Sequence, residues 1–140
     1  MTRSEIEALL LRHEEAFARH DAEALAVQHA PLGTFRSPAA GTVQGRDAIT
    51  HVYRYWFDAF PDMRFTWEPP VIDGDRAALF WSLRGRMHGT FFGVTASGTH
   101  VEMTGAARYT FADGQIAEAM HTFDFSALLM KLGVLKARPV

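Results

Sequence analysis

The dipeptide Asp113-Gly114 stands between two runs of alternating apolar and polar residues that together reach from Thr99 to Phe125. An Asp-Gly pair in that setting is the strongest short-range signal for a two-residue β-hairpin, because both central residues of the favoured turn need positive φ. A hairpin closed there pairs Ala112 with Gln115, Phe111 with Ile116, Tyr109 with Glu118, Ala107 with Met120 and Met103 with Asp124. Side chains alternate with period two, so opposed residues share a face. One face then carries Val101, Met103, Ala107, Tyr109, Phe111, Ile116 and Met120, and Asp124 falls among them. His100, Glu102, Thr104, Arg108, Thr110 and His121 fall on the other, wetter face. A carboxylate among Met and Val side chains is costly unless something pairs with it, which makes Asp124 the first candidate for chemistry.

The rest of the chain supplies helices to cover that sheet. Ser4-Glu5-Ile6-Glu7 reads as a capping box before a helix over Glu5 to Arg19, with Ile6, Leu9, Leu10, His13 and Phe17 on one stripe. Asp21 caps a short second helix from Ala22 to about Gln28, and Leu32 to Ser37 reads as a strand followed by a loop to Gly45. Ile49, Val52, Tyr53, Trp56, Phe57 and Phe60 mark a third helix from Arg46, stopped by Pro61. Met63, Phe65 and Trp67 alternate as a strand. After the turn at Asp73-Gly74 a long strand puts Ala77, Leu79, Trp81, Leu83 and Met87 on one face. A short helix, about Ser126 to Leu132, ends at Gly133, and Lys136 to Val140 are expected to be loose. Three helices followed by long antiparallel strands give an α+β fold with the helices on one face of the sheet, in a single domain over residues 1–140.

Composition narrows the classes of partner. Net charge is −2 with no basic block, so neither nucleic acid nor an anionic membrane surface is expected. No run is long enough to cross a bilayer, and the absence of cysteine excludes thiolate chemistry and fits a cytoplasmic protein. The seven histidines show no ligand spacing on a single element, so no metal site is expected.

Several segments carry a resemblance. Gly45-Arg46-Asp47-Ala48-Ile49, Phe60-Pro61-Asp62-Met63-Arg64-Phe65, Gly89-Thr90-Phe91-Phe92-Gly93-Val94, Asp113-Gly114-Gln115-Ile116-Ala117-Glu118 and Asp124 with Leu128-Leu129 occur in the order and spacing of the SnoaL-like polyketide cyclase (ester cyclase) family, from about Phe17 to Gly133. The resemblance implies a nuclear transport factor 2-like cone, three N-terminal helices packed on a curved, mostly antiparallel sheet, usually as a homodimer with a ligand cavity inside. It also implies an Asp near the end of the last strand as acid/base in a cofactor-free ring closure, the position that Asp124 matches. Where the family has His-Trp in the last strand this chain has Ala119-Met120, which makes the expected cavity more apolar.

Two readings of Asp124 follow. Buried, it has a raised pKa and is suited to shuttle a proton beside a carbonyl; at the strand end, it caps the helix that begins near Ser126. His13, on the inner stripe of the first helix, either joins Asp124 in catalysis or is a satisfied buried histidine. Tyr53, Trp56, Trp81, Met87, Met103 and Met120 are the expected substrate-binding wall. The outer face, with Arg84, Arg86, Glu102, Arg108 and His121 among Phe80, Ala106 and Phe123, is the expected dimer interface. The function expected is a cyclase- or isomerase-type enzyme acting on a hydrophobic carbonyl compound; the alternative is a protein that binds such a ligand without turnover.

Overall fold

The computed structural model describes residues 1–136, and the expectation for the tail beyond them lies outside the described residues. Helix α1 spans Arg3–Ala18, α2 Ala22–Val27 and α3 Arg46–Ala59, with strands β1 (His29–Ser37) and β2 (Gly41–Gln44) between α2 and α3. Strands β3 (Arg64–Trp67), β4 (Val71–Asp73), β5 (Arg76–Arg86), β6 (His100–Ala112) and β7 (Gln115–Phe123) follow, and α4 (Phe125–Lys131) comes last. The first helix and its cap each lie two residues earlier than expected. Thr2 is the N-cap and Glu5 closes the box, the Glu5 N–H donating to Thr2 Oγ1 at 3.2 Å and the Thr2 N–H to Glu5 Oε2 at 2.8 Å. The segment read as a loop after Ser37 forms β2, paired antiparallel with the end of β1.

The strands make one sheet in the order β2-β1-β7-β6-β5-β3, with β4 also on β5. All neighbours are antiparallel except β1 and β7, which run parallel, so the sheet is mixed. The α1 side chains Ile6, Leu9, His13 and Phe17 and the α3 side chains Ile49, Val52, Tyr53 and Phe57 are buried with the inward residues of β5 and β6, such as Leu79, Trp81, Val101 and Tyr109. That arrangement is the α+β fold expected, with its core between α1, α3 and the concave side of the sheet.

The Asp-Gly turn is where expected: Asp113 has φ 52° and Gly114 φ 77°, the two positive values of a type I′ turn, and Ala112 and Phe111 pair with Gln115 and Ile116. Two residues later the register slips. Thr110 pairs with Glu118, so Ala117 is an extra residue, a β-bulge, and Tyr109, Ala107 and Gly105 face Ala119, His121 and Phe123. One extra residue exchanges every later side chain between faces. The expected pairings of Tyr109 with Glu118, Ala107 with Met120 and Met103 with Asp124 are therefore corrected. His121 and Phe123 turn inward, while Met120, Thr122 and Asp124 turn to the outer face.

Candidate functional site

A small cavity of about 50 Å³ lies between α1, α3 and the concave sheet face. Phe17 of α1 and Val52, Tyr53, Trp56 and Phe57 of α3 form one wall; Phe35 and Ser37 of β1, Phe65 of β3, Trp81 and Leu83 of β5, Met103 of β6 and His121 and Phe123 of β7 form the other, with Met63. The rings meet largely edge to face, Phe17 lying 5.5 Å from Tyr53 and 5.2 Å from Trp67 between centroids. Trp81 lies across the sheet only because residue 105 is glycine: a Cβ there would come within 2.3 Å of its ring.

Few polar atoms reach this space. The Ser37 hydroxyl accepts the Ala40 N–H at 3.0 Å, and Tyr53 Oη pairs with His29 Nε2 at 3.0 Å. The buried Trp81 Nε1 has no hydrogen-bond partner. His121 stands apart, because it heads a chain of hydrogen bonds leading away from the cavity. Its Nε2 lies 3.3 Å from Tyr109 Oη, Tyr109 Oη lies 2.9 Å from His13 Nε2, and His13 Nδ1 lies 2.7 Å from Gln28 Oε1. With the Gln28 amide so oriented, the direction of every bond follows. An amide oxygen only accepts, so His13 carries its hydrogen on Nδ1 and accepts the Tyr109 O–H at Nε2. Tyr109 oxygen then accepts the Nε2–H of His121, which leaves His121 Nδ1 with a lone pair.

Burial sets the charge state of the network. Desolvation lowers His121 from 6.5 to about 3, with the nearby His13 adding to the effect. Desolvation lowers His13 to about 4 against the opposing hydrogen bond to Gln28, and lowers His29 to about 3 with smaller contributions from His13, His121 and Arg46. Burial pushes the Tyr53 and Tyr109 phenols up, so both stay protonated. At neutral pH the site is an uncharged apolar chamber with one imidazole lone pair beside it.

Of the residues singled out from the sequence, Tyr53, Trp56, Trp81 and Met103 line the cavity. Met87 is fully buried, but it is not on the cavity wall. Met120 lies on the opposite face of β7, carried there by the bulge at Ala117. His13 is buried within the hydrogen-bond chain, away from the cavity wall, and is bonded to Tyr109 rather than to Asp124. Asp124 is exposed and is the N-cap of α4, its Oδ1 accepting the Ala127 N–H at 2.9 Å. The expected buried carboxylate is thus replaced by a capping one. His121, Phe35 and Ser37 escaped the sequence reading. The available signal lay in the parity of β7: Glu118, Thr122 and Asp124 share a parity with Ile116, and only a slip between 116 and 118 sends all three outward while Ile116 stays buried.

Among the described residues no group of three or more His, Asp or Glu side chains could hold a metal ion. No helix in them is long and apolar enough to cross a membrane.

Comparison with known proteins agrees with this architecture. The chain superposes on AclR of Streptomyces galilaeus, a proposed hydroxylase, with a TM-score of 0.84 and 25% identity over 99% of this chain and 91% of that one. IdmH of Streptomyces antibioticus, a proposed polyketide cyclase, gives a TM-score of 0.74 and 29% identity over 91% and 98%. A Catenulispora acidiphila protein with a ketosteroid isomerase-like fold is 18% identical with a TM-score of 0.76 over 94% and 97%, a likeness of fold. No curated protein is significantly similar. The family model of SnoaL-like polyketide cyclases matches residues 7–132, nine-tenths of the length and every element of the fold. The chain is a member of the SnoaL-like polyketide cyclase family.

Proposed function

We propose that this protein is a cyclase-type enzyme for an apolar, carbonyl-bearing small molecule, with His121 as its acid/base in place of Asp124. The observation that carries the reading is the hydrogen-bond chain from Gln28 through His13 and Tyr109, which leaves His121 Nδ1 free to accept a proton. In the reaction, Nδ1 removes a proton from the carbon next to a carbonyl. The enolate carbon bonds to a second carbonyl carbon of the same molecule, and the new alkoxide takes the proton back from the imidazolium. Nothing is oxidised or reduced, and the product is an isomer of the substrate. A neutral imidazole in a dry cavity is a weak base until an enolate forms beside it. That anion then raises the imidazole pKa, so the two charges stabilise each other as they develop. Tyr109 holds Nε2 in the donor form and thereby keeps Nδ1 in the acceptor form.

A second reading is favoured by the wall itself, which is nearly all hydrocarbon. Such a wall suits binding without turnover. One experiment separates the two readings: exchange of the α-hydrogens of 2-tetralone, a bicyclic ketone, followed by NMR in deuterated buffer. The protein is expected to accelerate exchange, and His121→Leu to lower the rate by ~100-fold, the usual worth of a positioned base. Saturable binding with no exchange above buffer would leave the binding reading.

We also propose a homodimer built back to back through the outer sheet face. Phe80, exposed at 44%, lies there across from Ala106 between Arg84 and Arg108.

A further inference from the structure

The cavity beside His121 is too small for the class of ligand proposed. At about 50 Å³ it lies well below the ~150 Å³ of a cavity that accepts benzene. A second apolar hollow of about 280 Å³ opens on the far side of Trp56, where the β1–β2 connection meets α3. Ala39, Ala40, Val43, Tyr55 and Phe92 line it with His51 at its edge, and Val52 and Trp56 belong to both spaces. Val52 and Trp56 are the residues the two spaces share, and together the spaces reach the ~300 Å³ at which small-molecule sites begin.

We propose that this outer hollow is a second subsite, which takes the remaining rings or chain of the same apolar molecule whose carbonyl end reaches His121, and that Trp56 is the partition between them. The proposal rests on the functional reading above and extends it to substrate size: the ligand is larger than one ring, and its far end is hydrocarbon apart from an oxygen within reach of Tyr55. Trp56 suits a movable partition. It is only half-buried, and its ring packs on other rings: Phe91 at 4.8 Å, Phe123 at 5.7 Å and Phe60 at 6.2 Å. No hydrogen bond to its indole has to break. The roof over the hollow is pinned at one point, where the Phe92 N–H donates to Tyr55 Oη at 2.7 Å. Phe92, at φ 47°, and Gly93, at φ 77°, turn the chain back there. Because Tyr55 oxygen accepts from Phe92, its own hydrogen remains to bond an oxygen of the ligand at the outer end.

The test uses two probes of different size on the full-length protein. Xenon, read by NMR, reports the inner cavity; anthrone, a tricyclic ketone, read by quenching of tryptophan fluorescence, needs both spaces. Ala39→Trp and Val43→Trp, made separately, fill the hollow from two sides. Each is expected to weaken anthrone binding at least tenfold while leaving xenon binding unchanged. Anthrone affinity unchanged in both variants overturns the subsite and leaves the inner His121 site standing. Failure of the unaltered protein to bind anthrone overturns it too, and loss of xenon binding as well would overturn the inner site with it.

Discussion

Asp124 and His121 lie three residues apart near the end of one strand, and they have exchanged the places that simple alternation assigns them. The exchange is cheap for both. An unpaired carboxylate inside an aromatic chamber loses its hydration for nothing, whereas at the start of α4 it gains the Ala127 N–H. An imidazole can enter the chamber uncharged, and Tyr109 satisfies one of its nitrogens. Asp124 should therefore matter for α4 and for nothing in the cavity. Asp124→Ala is expected to cost about 1 kcal/mol in denaturant unfolding, the usual worth of such a cap, and to leave 2-tetralone exchange at the rate of the unaltered protein. Loss of exchange in that variant, with the fold intact, would return the chemistry to the carboxylate.

At the scale of the element, everything turns on one residue of β7. The bulge at Ala117 sends Ala119, His121 and Phe123 inward, and the parallel pairing of β7 with β1 sets Phe35 beside Ala119. Deleting Ala117 would remove the extra residue and leave Glu118 next to Ile116 and opposite Thr110, with Ala119, His121 and Phe123 still directed inward. That variant is expected to keep cooperative folding and the near-UV circular dichroism of the packed aromatic core; loss of that signal would contradict the register.

The same element shows what could be read beforehand. The turn, the long strands, the helix faces and the family resemblance were legible because each rests on local pattern: Asp113-Gly114 for the turn, Ala77 to Met87 for β5, Ile49 to Phe60 for α3. A bulge leaves a fainter mark. Nothing in Gln115-Ile116-Ala117-Glu118 demands it locally, and the conflict between Ile116 and the polar residues of like parity appears only when the whole strand is weighed. The site was therefore half legible. Tyr53, Trp56, Trp81 and Met103 stand on elements ahead of the bulge and line the cavity, whereas plain alternation from the turn puts Met120, Asp124 and His121 on the wrong faces behind it.

For the molecule as a whole, three imidazoles buried without charge tie stability to pH. Their folded values, about 4 for His13 and about 3 for His29 and His121, lie below the ordinary 6.5. Between those limits the unfolded chain binds protons that the folded one refuses. The contribution is complete above pH 6.5 and is lost as pH falls, at about 1.4 kcal/mol per unit for each histidine once the pH is well below that value. Together the three lower stability by about 4 kcal/mol per unit below pH 6.5, a large share of a domain stability of roughly 5–15 kcal/mol, and denaturant unfolding at a series of pH values is expected to show that decline.

The measurement that bears most directly on the central claim is a ¹⁵N NMR titration of the His121 ring, run alongside circular dichroism. His121 is expected to show the neutral form with hydrogen on Nε2 at every pH where the protein is folded, gaining its second proton only as the fold is lost. A His121 that titrates near 6.5 in the folded protein, or that carries its hydrogen on Nδ1, would contradict the claim that the bulge delivers a buried base to the cavity.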